Sequence, residues 1–323
     1  MTSSRSRGHD YAAREVIVST SHLDLVVQML HALGAPPVRE PERAAALGLA
    51  RVTLADLRRG LGSILGGTPA LPIEQGRATA LATEDARRLL VEVGPGLSDL
   101  DLLLHFVRRW FAEAYGGWTP MLGKNRYLVG IGAPDDRGDP FGAVAGPGRT
   151  ARRGGPPATR VLGGPGATGE VWEVANTLAD LADSGVAVLN FALGCLTRDG
   201  QPPLALARAI DLVTPAVVVL AAAGDHGAAP DPGVRQAPVW PAALPGVVAV
   251  GAHTADGTPA PSTPALPWVD LTAATVLGTA AATAHVTDVV TRDGVAAREA
   301  VQDLLDLKPG DECCGVRRFF LAS

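Results

Sequence analysis

Few residues in this chain have the types and spacing for covalent or ligand chemistry. Gly278-Thr-Ala-Ala-Ala-Thr-Ala-His-Val-Thr-Asp-Val289 is a Gly-Thr turn running into small side chains. That pattern suits the start of a helix whose backbone comes close to its neighbours. Cys195 and His226 each follow the end of a predicted strand. A thiol and an imidazole within hydrogen-bond reach, with Asp225 orienting the ring, would make a nucleophilic dyad; the plain alternative is a buried, inert thiol. Asp135, Asp136 and Asp139 offer carboxylates to calcium, but Pro134, Gly138 and Pro140 among them read as a solvated turn with too few oxygen ligands. Gly164-Pro-Gly-Ala-Thr-Gly169 has the G-x-G-x-x-G spacing that cradles a pyrophosphate in dinucleotide-binding folds. The strand after it ends at Asn190, without the acidic residue that would hold a ribose. Cys313 and Cys314 are adjacent: such a pair can close a strained vicinal disulfide, bind a soft metal, or be tail thiols with no role.

The elements that must carry these residues fall into two grammars. Residues 1–13 read as a flexible polar arm, and residues 14–120 as an α+β region. In the latter, 16–19 is a short strand, Ser21 is placed to cap a helix carrying Leu23, Val26, Val27, Leu30 and Leu33, and 47–54 is a second strand. This reads as a β-α-β unit. Gly and Pro break up 55–98, leaving a strand or helix piece at 86–93. Residues 97–114 form a helix with an apolar stripe of Leu100, Leu103, Leu104, Val107, Phe111 and Ala114, in which His105 reads as a packed or surface residue. From 127 the pattern becomes strand then helix: strands at 127–131, 161–162, 186–191, 217–223 and 247–251, helices at 170–184 and 203–212, from 279, and at 295–305. Continuous apolar strands alternating with helices predict a doubly wound parallel α/β sheet over 125–310, its site at the carboxyl ends of the strands. Residues 311–323 read as a tail.

Three of those strands carry motifs in a fixed order, Val188-Leu-Asn-Phe-Ala-Leu-Gly194, Val217-Val-Val-Leu-Ala-Ala-Ala-Gly-Asp-His-Gly227 and Pro241-Ala-Ala-Leu-Pro-Gly-Val-Val-Ala-Val-Gly-Ala252 followed by Trp268-Val-Asp-Leu271, and Gly278-Thr-Ala280 at the helix start completes the set. Together they resemble the subtilisin-like serine peptidases, in which the corresponding segments line the substrate groove, supply an oxyanion-binding Asn and carry the nucleophilic Ser. The resemblance implies that Ala280 stands at the nucleophile, Asp225 at the oxyanion donor, Pro140 (in Pro140-Phe-Gly-Ala-Val-Ala-Gly146) at the catalytic base and Gly132 most naturally at the triad Asp, with Asp135, Asp136 and Asp139 close by. A methyl group cannot attack a carbonyl, and a carboxylate would repel the charge that an amide stabilises. Losing nucleophile, base and oxyanion donor together leaves no mechanism. His285 matches a family histidine outside the triad, and its expected role is packing or a hydrogen bond. The N-terminal α+β region stands where many such peptidases carry a folding and inhibitory module.

The resemblance thus implies a degenerate homologue that binds or regulates, with Ala192, Leu193 and Gly194 edging a groove able to accept an extended peptide by strand addition. The alternatives are a hydrolase built on Cys195 and His226, and a nucleotide-binding α/β protein. The remaining expectations come from composition. With 47% hydrophobic and 19% charged residues the chain can bury a large core, and a formal charge of −5 argues against nucleic acid as a partner. No apolar run has membrane-spanning length, and the polar start lacks the apolar stretch of a signal peptide, so a cytoplasmic protein is expected. The expected partner is a peptide segment or another protein, with no cofactor and no metal.

Overall fold

The computed structural model describes residues 10–66, 71, 75–94, 97–131, 159–163, 167–292 and 295–320. The chain divides into two compact units, Met1–Asn125 and Arg126–Ser323.

The first unit begins with β1 (Tyr11–Ser19), α1 (Leu23–Ala32), β2 (Glu42–Ala44) and β3 (Leu49–Thr53), continues through α2 (Leu57–Gly66), α3 (Gly76–Val93) and α4 (Asp99–Ala114), and ends within β4 (Leu122–Gly130). β1 starts inside the expected polar arm, with Tyr11 buried. β3 pairs antiparallel with both β1 and β2, so it lies between two strands that run the same way. The expected β-α-β crossover therefore ends on β2 and not on the apolar 47–54 stretch; Glu42-Arg-Ala44 is too short and polar to stand out in the sequence. A 3-10 turn, Thr20–His22, precedes α1, whose N-cap is His22. Ser21, expected as the cap, instead bonds the Ser19 hydroxyl at 2.9 Å.

Residues 55–98 hold two helices where the sequence suggested broken structure. The buried face of α3 is Ala78, Ala82, Thr83 and Ala86, small residues whose low hydrophobicity hides a helical stripe. They pack close to α4, whose start has a full capping box: Asp101 N–H donates to Ser98 Oγ at 3.1 Å and Ser98 N–H to Asp101 Oδ2 at 3.4 Å. His105 on α4 bonds Asp85 of α3 at 2.8 Å, which accounts for it as a structural residue.

The second unit contains β5 (Thr159–Gly163), β6 (Thr168–Glu170), α5 (Val171–Leu181), β7 (Val188–Leu196), α6 (Leu204–Val213), β8 (Val218–Ala222), α7 (Pro232–Arg235), β9 (Val239–Trp240), β10 (Val247–His253), β11 (Leu271–Ala274), α8 (Thr279–Arg292), α9 (Ala297–Leu305) and β12 (Val316–Arg318). Its core is a mixed α/β arrangement around a parallel sheet in the order β5-β7-β8-β10-β11. β12, within the expected tail, adds antiparallel to β11. β8 is buried at every position and β7 at all but its last, as expected of strands covered on both faces. One cover is α8, whose inner face of Thr279, Ala282, Thr283, Val286, Thr287 and Val290 lies on the sheet. The buried Thr283 and Thr287 would be costly with free hydroxyls. Thr283, Thr287 and Thr291 each return the hydroxyl to the carbonyl four residues earlier, at 2.7, 2.7 and 2.8 Å.

Of residues 127–131, expected as the first strand of the parallel sheet, 127–130 are the second half of β4 and pair antiparallel with β6 and with the far end of β7. An apolar run carries no record of the direction of its neighbours, which is why the sequence misassigned it.

Candidate functional site

β7 changes partners along its length. Its first residues, 188–192, sit between parallel strands, and its end turns into an antiparallel ribbon. There Val129 lies opposite Gly194 and Gly130 opposite Leu193, and the Ile131 N–H donates to the Ala192 carbonyl at 2.9 Å. On its other edge the same segment pairs with β6: Tyr127 opposite Glu170, Leu128 opposite Gly169, Val129 opposite Thr168, with Gly130 N–H on the Ala167 carbonyl at 2.6 Å. Residues 127–131 are thus the middle strand of three. Ala192, Leu193 and Gly194, expected to edge an open groove, are all buried, with the chain's own strand on them. Glycine at 194 permits this closeness: a Cβ there would lie 2.8 Å from both Ile131 Cδ1 and Val239 Cγ1. Just beyond, β9 closes on β7 with Cys195 opposite Trp240, whose indole N–H donates to Thr197 Oγ1 at 3.1 Å.

The neighbouring parallel strand, β8, ends at Ala222, and the turn after it bonds to the start of α8. Gly224, at φ +92°, makes the turn, and its N–H donates to Thr279 Oγ1 at 3.1 Å. Asp225 follows, and its Oδ1 accepts the Thr279 N–H at 2.9 Å. The carboxylate therefore occupies the start of a 14-residue helix, where unpaired N–H groups and the helix dipole favour an anion. Gly278, at φ +89°, makes room: a Cβ on it would meet Asp225 Oδ2 at 2.8 Å. Burial raises the Asp225 pKa above the usual carboxylate range, and the bonds from Thr279 oppose that rise. Ser262 is near enough to lower it too, but makes no hydrogen bond of ordinary geometry, and Oδ2 is buried without a partner among the described residues.

Ala280, the next helical residue, packs its methyl into an apolar cluster with Ile131, Ala222, Val239, Leu196 and Trp268. The end of the 127–131 segment and Ala280 are therefore parts of one apolar contact. A hydroxyl at 280 would be set among hydrocarbon.

The remaining described candidates lie on β7 (Cys195), just after β8 (His226) and on α8 (His285). His226 is buried; its Nε2 donates to the Ala237 carbonyl at 3.0 Å, and burial lowers its pKa below the ordinary imidazole value. Cys195 is buried on β7 and forms no disulfide. His285 donates from Nε2 to the Cys314 carbonyl at 2.7 Å, tying α8 to the turn before β12. Gly132, Pro140 and the Asp135, Asp136 and Asp139 cluster lie outside the described residues, as do Gly164, Pro165 and Gly166 of the glycine loop. Gly169 of that loop is a strand residue of β6, opposite Leu128. Among the described residues no three His, Cys, Asp or Glu side chains group to hold a metal, and no helix is long and apolar enough to cross a membrane.

Sequence reasoning missed β6, and it named Thr279 and Trp268 as motif residues without their contacts to Asp225 and to the Ala280 cluster. Thr279 carries a recoverable signal, since a Thr between Gly278 and a helical run can both receive and return a cap. β6 has none, being three residues long and partly exposed.

Solved structures that match part of the chain include one titled as the prenylagaramide maturation protease PagA, at 24% identity over 38% of this chain and 48% of that one, TM-score 0.33. Another is titled as the self-cleaved protease domain of PatA, at 26% identity over 38% of this chain and 50% of that one, TM-score 0.32. The chain spans about half the length of each. No protein-family model and no curated protein matches it.

Proposed function

We propose that this chain is a degenerate subtilisin-like homologue, doubly wound around its parallel sheet, that does not hydrolyse peptides and acts by holding an extended strand. The observation that carries the reading is the strand 127–131, held on both edges by backbone pairing with 168–170 and 192–194. Strand addition of this kind draws its affinity from main-chain hydrogen bonds and needs no catalytic side chain. In the structure the occupant is the chain's own, so a peptide or partner protein of the same extended form would have to take its place. The apolar packing of Ala280 and the carboxylate of Asp225 at the helix start both support the loss of chemistry. A repelling carboxylate at an oxyanion position opposes acyl transfer on electrostatic grounds alone.

A thiol hydrolase built on Cys195 and His226 has less support, because His226 already spends its Nε2 proton on Ala237 and burial weakens it as a base. The test is incubation of the full chain with mixed unstructured peptides and with a serine-directed fluorophosphonate probe. The expected outcome is no cleavage and no labelling. Labelling that a single substitution in this chain abolishes would overturn the proposal.

A further inference from the structure

The adjacent cysteines Cys313 and Cys314 lie outside the ribbon and α8 start described above, and both are exposed. Their sulfurs are 3.8 Å apart. Cys314 holds φ +54°, the one non-glycine residue at positive φ among those described. That conformation is costly for a residue with a Cβ and persists where the surroundings fix it. Here the surroundings are explicit. Cys313 and Val316 exchange both backbone hydrogen bonds at 2.9 Å, the Gly315 carbonyl accepts from Ala274 N–H at 3.0 Å, and the Cys314 carbonyl accepts from His285 Nε2 at 2.7 Å. A turn fixed at these points holds two thiols side by side at the surface, so either one meets the other at a far higher effective concentration than any thiol in solution.

We propose that Cys313 and Cys314 are a reversible oxidation site that exchanges with low-molecular-weight disulfides. One cysteine thiolate attacks a sulfur of the small disulfide; the S–S bond breaks, a mixed disulfide forms and one small thiolate leaves. The neighbouring cysteine, having given up its proton to solvent, attacks the protein sulfur of that mixed disulfide. The vicinal bond forms and the second small thiolate leaves, each taking up a proton. The protein pair is oxidised by two electrons, and the small disulfide is reduced to two thiols. Across a trans peptide the two Cα atoms are about 3.8 Å apart, short of the roughly 4.4–6.8 Å usual for a disulfide, so the closed ring is strained and easily reduced. Exposed, strained disulfides are the labile ones.

The experiment equilibrates the full native chain with glutathione buffers of stepped oxidised-to-reduced ratio, quenches with iodoacetamide and maps peptide masses. As the ratio rises, the peptide carrying 313 and 314 is expected to pass from two alkylated thiols to none, with no glutathione attached, and to return when the ratio is reversed. Cys195, being buried, stays unmodified throughout. Cys313→Ser and Cys314→Ser, each lacking the resolving thiol, are expected to retain one glutathione. A stable glutathione adduct on the unaltered chain, a disulfide-linked dimer as its end product, or two thiols that stay alkylatable across the whole range would each overturn the proposal.

Discussion

Asp225 shows how much of a residue's setting lies outside its own stretch of sequence. Its partner, Thr279, is 54 residues away, and no local pattern announces that pairing. Its raised pKa has a definite consequence for stability. The folded state holds this proton more tightly than the unfolded chain, whose value is about 3.9. The stability it contributes is therefore complete below that value and is lost as pH rises through the higher folded pKa. Asp225→Asn keeps an oxygen to accept from Thr279 and removes the charge. The expected result is a variant at least as stable as the parent at pH 7, with a flatter stability profile from about pH 4 upward. Urea midpoints of both proteins across that range measure it, and Asp270, also raised by burial, cancels because both proteins carry it. A variant less stable at pH 7 than the parent, by more than the difference at pH 4, would refute this account. Ala280→Ser puts a hydroxyl into the Ile131, Val239 and Trp268 cluster at a cost of roughly 1–3 kcal/mol. With no base assigned beside it, this variant should stay blind to the fluorophosphonate probe.

Between elements, what the sequence records well is burial and period, and what it lacks is direction. Strands β7, β8 and β10 and helices α5, α6 and α8 were legible because each is long or strongly apolar. The antiparallel course of β4 was not, since inward-facing residues look the same beside a parallel or an antiparallel neighbour. Gly194 is the residue on which this geometry turns. Gly194→Val would push against Ile131 and Val239, both already 2.8 Å from a bare Cβ, and overpacking of this kind costs about 1–3 kcal/mol. Amide exchange should quicken at Ile131, whose N–H is held by Ala192, and leave β8 protected. Equal protection of Ile131 in both proteins would mean that the ribbon does not depend on this contact. A second element-level test concerns how α8 is joined to β7. Asn190 Nδ2 donates to Thr287 Oγ1 at 3.0 Å, and both residues are buried. Thr287→Val strands the amide donor and should cost about 1–3 kcal/mol, whereas pairing it with Asn190→Leu removes both polar partners and should recover much of that loss. Denaturant unfolding of the two single variants and the double variant gives the answer. A double variant as weak as the sum of the singles would show the bond to be incidental.

At the scale of the molecule, composition correctly indicated a large buried interior but not how it is divided. The change of grammar near residue 127 was visible because apolar strands begin to alternate with helices there. The first unit was harder to read, since the buried face of α3 is mostly alanine and the core is assembled across long sequence gaps. The structure gives that unit a separate apolar core, from Tyr11 through Leu30, Val52, Ile64 and Phe106 to Leu122, while Val188, Leu220, Val250, Val286 and Leu304 share a core in the second. Two cores without common residues should report damage separately, because sites with no shared partners act independently. Phe106 is fully buried in the first core, and Phe106→Ala leaves a cavity that costs about 3–5 kcal/mol. Hydrogen exchange distinguishes the outcomes, since its protection reports the opening of each region separately. In the variant, amides of α4 should lose protection by an amount close to the measured destabilisation, and those of α8 should keep theirs. The reciprocal change, Val286→Ala in the second core, should do the opposite. If α8 loses as much protection as α4 in Phe106→Ala, the two cores unfold as one cooperative body, and the independence argued from their separate residues is wrong.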